Sequence, residues 1–297
     1  MSDARAAFRR YEEIRPRLPG AAYPATARVL PTLEQAADLW DGFVLDAFGV
    51  LNVGETAIPG AVARMASLRA RGKRLCVLTN AASYTRAALL AKYHRLGYDF
   101  SLDEVVSSRD VAAARIADRW AGAHWAAISA GGDSFADLPL HVTDAIDTPA
   151  AFDEADAILF LSSVRWTPAL QERLADALSR RPRPVVVANP DLVAPREDGL
   201  SLEPGLFAHD LIDRLGTEVH WFGKPFAEGF ADACARAGLP PDRLAMVGDT
   251  LHTDVLGGAA AGMGTVLVTR HGLFAGLDTA PFIAASGIVP DVIVQTT

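Results

Sequence analysis

Four polar positions, each standing where an apolar run ends, carry residue types that can do chemistry together. They are Asp46 after GFVL, Thr79 with Asn80 after RLCVL, Lys224 in WFGKP, and Asp249 in VGDTLHTD, with Asp254 five residues further on. Singly, each has an ordinary explanation. An Asp after a strand commonly caps a helix or closes a turn, a Thr-Asn pair commonly turns the chain, and Gly-Lys-Pro reads as a loop with a solvated lysine. Jointly they form a reactive set: a carboxylate nucleophile, a hydroxyl and an amide for phosphoryl oxygens, a lysine to neutralise charge, and two further carboxylates for a hard divalent cation. Magnesium suits that set, because it takes a few carboxylates and keeps places for water and substrate phosphate. It would also screen Asp46 from an anionic substrate.

Such residues must be held along one edge, and the surrounding pattern supplies one. Residues 1–40 read as a helical N-terminal extension: an amphipathic helix, a Pro-rich joint from Pro19 to Pro31, and a short helix around Glu34 to Leu39. The apolar run to Asp46 then reads as a buried strand, followed by a helix over 59–71, the strand to Thr79, a helix over 84–96, a strand over 104–108 and a helix over 109–119. From about residue 124 the alternation continues through WAAIS, AILFLS and PVVVAN, with a helix over 168–180 between the last two. After Pro204-Gly205 come a helix over 206–215, the strand VHWFGK, a helix over 226–237, the strand LAMVGD, a helix over 253–262 and the strand TVLVT. Strand alternating with helix implies a parallel α/β sheet, and open sheets of that kind bind ligands beyond the carboxyl ends of their strands.

In this order and context, LDAFGVL, VLTNAAS, WFGKP and VGDTLHTD resemble the four motifs of the haloacid dehalogenase (HAD) superfamily, over about residues 40 to 270. The long insertion between the Thr79 and Lys224 motifs, with PGA at 59–61, ANPD at 188–191 and PG at 204–205, resembles its subclass IIA, the C2-capped, NagD-like phosphatases. The resemblance implies an α/β fold with a Rossmann-like doubly wound parallel sheet as core, over residues 41–122 and 204–297, and an inserted α/β C2 cap over residues 123–203. It implies that Asp46 attacks phosphorus of a small phosphorylated metabolite to give an aspartyl-phosphate. Thr79 and Asn80 would hold the phosphoryl group, and Lys224 would pair with both it and Asp46. Asp249 would bind Mg2+ directly and Asp254 would bind it or its waters, with Asp46 and the backbone carbonyl of Phe48 as further ligands. Gly49 fits a tight turn that lets backbone approach phosphoryl oxygens. Asn189 and Asp191 would sit on a substrate-facing loop, although a plain turn explains them too. Relatives of this kind often associate through their caps, so a homodimer is an open expectation.

One position departs from the pattern. Phosphatases of the superfamily carry a second Asp two residues after the nucleophile, which protonates the leaving oxygen and then activates water; here that residue is Phe48. A phenylalanine moves no proton, and such help is worth about 10²- to 10⁴-fold. Three readings stand open: a substrate with a good leaving group, another proton donor with His252 and His271 the nearest candidates, or a phospholigand-binding or regulatory protein with little turnover.

Composition sets the outer bounds. Half of the 297 residues are hydrophobic and 22% are charged, enough for a buried core. The formal charge of −8 argues against nucleic acid as the main partner, since phosphate backbones are met by a basic excess. No signal-peptide pattern or long uncharged apolar window is present, so neither a membrane partner nor export is expected and a cytoplasmic location is. Cys76 and Cys234 read as two reduced thiols. Arg165, the Gly131-Gly132 pair and the tryptophans at 120, 125 and 166 read more simply as surface, turn and packing residues than as parts of a site.

Overall fold

The structure, a computed structural model, describes residues 3–297. Strands run in chain order at Arg28–Thr32 (β1), Gly42–Leu45 (β2), Asn52–Val53 (β3), Thr56–Ala57 (β4), Arg74–Thr79 (β5), Val105–Ser107 (β6), His124–Ile128 (β7), His141–Asp144 (β8), Ala157–Phe160 (β9), Val185–Val187 (β10), Val193–Arg196 (β11), Gly199–Leu202 (β12), Val219–Trp221 (β13), Leu244–Gly248 (β14), Gly264–Val268 (β15) and Val292–Thr296 (β16). A seven-stranded sheet has the order β1-β16-β15-β14-β2-β5-β6, with every pairing parallel. A second parallel sheet has the order β13-β10-β9-β7-β8. Two short antiparallel hairpins, β3-β4 and β11-β12, complete the pairing.

The central strands are buried on both faces, which explains their unbroken apolar runs: all four residues of β2 and all five of β14 are buried. On one face Phe43, Leu45, Val77 and Val247 pack with Ala61, Met65, Leu68 and Leu89 from the helices Ala61–Ala70 and Arg86–Arg95. On the other, Val44, Cys76 and Met246 belong to an apolar cluster that continues into Trp125, Leu159 and Val186 of the second sheet. The two sheets therefore share buried surface. From β2 the chain proceeds outward through β5 and β6, then returns to the far side of β2 at β14. That reversal puts a crevice beyond the strand ends between β14 and β2, where doubly wound sheets bind ligands.

Two elements differ from the sequence expectation. Residues 28–32, expected within a Pro-rich joint, form the edge strand β1 against β16, in the register Arg28↔Val292, Leu30↔Val294 and Thr32↔Thr296. Pro31 forbids a central strand but costs nothing on an edge, where its missing N–H has no partner to serve. The strand Val219–Trp221, expected in the main sheet, pairs instead with β10 of the second sheet, and the helix Pro204–Leu215 before it packs Ala208 and Leu211 into that sheet's core. An apolar run does not specify which sheet will bury it.

The N-terminal helix Ala4–Glu13 opens on Asp3, whose side chain accepts the Ala6 N–H at 2.8 Å. Its Phe8 packs with Leu251, Val255 and Phe274 of the main unit, while Tyr11 and Ile14 pack with Leu192 at the second sheet's exit. The Tyr11 hydroxyl accepts the Leu192 N–H at 3.1 Å, and Arg10 and Arg17 both pair with Asp213 on the helix Pro204–Leu215. One helix thus fastens both units. Tyr11→Phe should cost about 1–3 kcal/mol by orphaning the buried Leu192 N–H, and Tyr11→Ala about 3–5 kcal/mol by adding a cavity. Urea-unfolding midpoints of the two variants check both figures.

Candidate active site

The sheet order brings the expected residues together. Asp46 follows β2, Thr79 ends β5 and Asp249 follows β14, and these three strands are neighbours. Asp46 is fixed through its backbone: its N–H donates to the Val247 carbonyl at 2.9 Å, and the next N–H, of Ala47, donates to its own Oδ1 at 2.7 Å. Lys224 reaches in from the other side of the crevice, following β13 of the second sheet, and is 1% exposed. Its Nζ lies 2.6 Å from Asp46 Oδ1 and 2.8 Å from Asp254 Oδ1.

Carboxylate oxygens of Asp46, Asp249 and Asp254 all lie within 4.8 Å of one another. Asp254 is held by the Thr250 N–H on its second oxygen at 3.0 Å, within a wide helical turn, Leu251–Val255, where the Val255 N–H reaches the Thr250 carbonyl. Asp249 accepts the Leu273 N–H at 2.6 Å and the Thr250 hydroxyl at 3.2 Å. Gly49, with φ +79°, passes so close that a β-carbon would come 2.7 Å from the Asp249 side chain. Only glycine leaves that carboxylate its room. Burial pushes Asp46 up to about 7, with Lys224 opposing and Asp254 adding to the rise. Asp249 is also driven well above the carboxylate range by burial, reinforced by Asp254 and Asp46. For Lys224 burial works downward, but Asp254, Asp46 and Asp191 outweigh it and keep the ammonium charged. Three carboxylates against one ammonium leave an excess of negative charge that an oxygen-seeking divalent cation would balance. Among the described residues none donates a backbone hydrogen bond to the Phe48 carbonyl, which could serve the same purpose.

Two of the expected residues carry hydrogen bonds within the protein while lining the cavity. The Asn80 side chain, expected on the phosphoryl group, is engaged elsewhere: Oδ1 accepts the Lys224 N–H at 2.8 Å, and Nδ2 donates to the Lys224 carbonyl and to Asp191 Oδ1, each at 3.0 Å. It positions the lysine. Gly223 makes this clasp feasible, since with φ +120° a β-carbon there would meet Asn80 Oδ1 at 2.6 Å. Asn189, expected to contact substrate, donates to Glu203 Oε2 at 3.0 Å and accepts the Asp191 N–H at 3.1 Å, so its amide braces the loop. Asp191 remains a carboxyl facing the cavity. Burial raises it well above the usual range, with Lys224 opposing and Asp46 adding.

Asp46, Thr79, Asn80, Asn189, Asp191 and Asp249 line a cavity of about 560 Å³ that also takes in Phe48, Tyr84, Ser163, Arg196 and Glu203. The Phe48 ring stands between two cations, with the Arg196 guanidinium 4.6 Å and the Lys92 ammonium 5.1 Å from its centroid. Arg196 comes from the β11-β12 hairpin, which the sequence reading missed; the Asp198-Gly199 pair at its tip was the available signal. Neither histidine considered as a proton donor lines the cavity. His252 stacks on Tyr11 with centroids 4.9 Å apart, its Nε2 meets Glu12, and burial lowers its pKa to about 4. His271 bonds Thr296 at 3.1 Å. Arg165 pairs with Asp144 and Asp147, and Trp125 and Trp166 are buried in the second unit.

A profile of haloacid dehalogenase-like hydrolases matches residues 43–137, and a second HAD-hydrolase-like profile matches residues 221–293. The chain is 31% identical over 280 residues to glycerol-3-phosphate phosphatase of Gallus gallus, covering 86% of this chain and 89% of that one. Among solved structures, p-nitrophenyl phosphatase from Archaeoglobus fulgidus superposes with a TM-score of 0.71 at 26% identity, covering 86% and 96% of the two chains. Glycerol phosphate phosphatase from Mycobacterium tuberculosis, solved with magnesium, gives 0.68 at 25% identity, covering 86% and 76%. Fold, site and kinship define a haloacid dehalogenase-like hydrolase, and the chain belongs to that family. Within it the chain is a member of subclass IIA, the NagD-like group.

The carboxylate cluster should make stability metal-dependent. Magnesium at about a hundred times its Kd should add about 2.7 kcal/mol to the folded state. Thermal melts with magnesium and with EDTA would show the difference, and Asp249→Asn should abolish it.

Proposed function

We propose that this chain is a magnesium-dependent phosphatase that hydrolyses a small phosphorylated metabolite through an aspartyl-phosphate on Asp46. The observation that carries the reading is Lys224, buried and held between Asp46 and Asp254 at 2.6 and 2.8 Å, beside the cavity that Asp46 lines. An aspartate so paired is fixed in position and kept from wandering, which is what in-line attack requires. Its oxygen attacks phosphorus, the bond to the leaving oxygen breaks, and water then hydrolyses the acyl phosphate and restores Asp46. Lys224 would neutralise charge on the transferring group, and the hydroxyl of Thr79, which ends β5 and lines the cavity, would donate to a phosphoryl oxygen. Magnesium bound by Asp46, Asp249, Asp254 and the Phe48 carbonyl would supply charge stabilisation for the phosphoryl oxygens.

The substrate class follows from space and kinship. A cavity of about 560 Å³ suits a small metabolite. Similar proteins bear the names glycerol-3-phosphate phosphatase and glycerol phosphate phosphatase, which supports a short alkyl phosphate. The second sheet and the β11-β12 hairpin would serve as the cap that closes over it.

Purified protein with magnesium should release phosphate from p-nitrophenyl phosphate and from glycerol phosphate, and Asp46→Asn should remove at least the bulk of both activities. Release that survives in Asp46→Asn would refute the aspartyl-phosphate route. No release from a broad panel of phosphometabolites, with saturable binding kept, would favour a phospholigand-binding protein instead.

A further inference from the structure

We infer that Asp191 is the catalytic acid and base that position 48 lacks, giving a proton to the leaving oxygen and then taking one from the attacking water. The inference rests on the phosphatase reading above and assigns a role within that same site.

Asp191 follows β10 on the second unit and lines the cavity together with Asp46, Thr79 and Phe48. One of its oxygens, Oδ1, is held by Asn80 Nδ2 at 3.0 Å, and the same nitrogen holds the Lys224 carbonyl at 3.0 Å. A single amide therefore ties Asp191 to the lysine that pairs with the nucleophile. The other oxygen, Oδ2, accepts no hydrogen bond from any described residue. Asp191 is only partly buried, and it lines the cavity.

Its backbone is fixed on both sides, which a proton donor needs if it is to meet a reacting atom repeatedly. Asn189 takes the Asp191 N–H at 3.1 Å, and Tyr11 takes the next N–H, of Leu192, at 3.1 Å. No arginine or lysine forms an ion pair with Asp191 among the described residues, since the Lys224 ammonium is taken by Asp46 and Asp254. The charged and titratable groups around it are Lys224, Asp46, Asp254 and Tyr11. Two acidic residues and burial against one shared cation favour its neutral, proton-bearing form.

The other proton carriers on the cavity are accounted for. Glu203 has both oxygens engaged, with Oε1 accepting from Arg196 at 3.1 Å and Ser201 at 2.5 Å, and Oε2 accepting from Asn189 at 3.0 Å. The Tyr84 phenol is shifted further upward by burial, away from neutral pH. Asp46 and Asp249 belong to the nucleophile and the cation cluster.

The steps balance. As Asp46 bonds to phosphorus and the bond to the leaving oxygen breaks, the Asp191 proton passes to that oxygen, releasing an alcohol and leaving Asp191 ionised. Asp191 then removes a proton from water as the water oxygen bonds to phosphorus and the bond to Asp46 breaks. Phosphate departs, and Asp46 is again a carboxylate with Asp191 again protonated.

The test uses the full chain with magnesium, as wild type, Asp191→Asn and Asp191→Glu, with glycerol phosphate and p-nitrophenyl phosphate compared within each preparation. Asp191→Asn should lose about 10²- to 10⁴-fold in kcat/KM on glycerol phosphate. On p-nitrophenyl phosphate, whose leaving group needs no proton, it should give a burst of one nitrophenolate per site followed by slow turnover. Asp191→Glu, which keeps a carboxyl, should recover part of the loss. A partly unfolded sample lowers both substrates alike and cannot imitate this split. Equal losses on both substrates without a burst, or an unchanged rate on glycerol phosphate, would overturn the role of Asp191 while leaving the phosphatase reading intact. Wild type and Asp46→Asn behaving alike would overturn that reading and this inference with it.

Discussion

The structure turns on one buried ammonium among carboxylates. Lys224 satisfies Asp46 and Asp254 at once, and without it three buried acidic groups would have no cationic side chain between them. Removing one partner from such a buried arrangement leaves uncompensated charge, which costs several kcal/mol. Much of the surrounding architecture therefore serves to keep the lysine in place. Asn80 grips its backbone on both sides, and Gly223 lets that grip close. Because Lys224 follows a strand of the second sheet while Asp46 follows one of the first, the ion pair is also a joint between the two units.

That joint is reinforced from outside. The N-terminal helix presses Phe8 and Tyr11 against the turn that carries Asp254 and, through the Tyr11 hydroxyl, against the loop that carries Asp191. A helix with no residue on the cavity thus fixes two residues that are on or beside it. Rigid support of this kind is what keeps reacting groups within a fraction of an ångström of productive geometry.

Phe48 changes the character of the cavity rather than emptying it. Its ring packs between Arg196 of the β11-β12 hairpin and the buried Lys92, so the position that would carry an acid instead anchors the hairpin over the crevice. Arg196 is in turn steadied by Glu203 and Ser201, and Glu203 by Asn189. An aromatic wall at Phe48 thus faces the same cavity as the Asp191 carboxyl, which Asn80 holds by one oxygen.

The candidate site groups were legible in the sequence because strand-end chemistry is local. A buried run followed at once by Asp46, Thr79 or Asp249 states both the strand and what stands at its end, and the parallel α/β character follows from alternation alone. Family resemblance then grouped them. Partnership was not legible. Nothing in WFGKP says that its strand joins the second sheet, nor does Pro31 announce an edge strand, since both depend on which neighbour buries an apolar run. The same limit hid the uses of Asn80, Asn189 and Asp191, whose donors and acceptors come from residues as much as 144 positions away. Hydrogen-bond capacity is written in the residue type, but whether it is filled is decided by the tertiary structure, because only folding sets which groups lose water together.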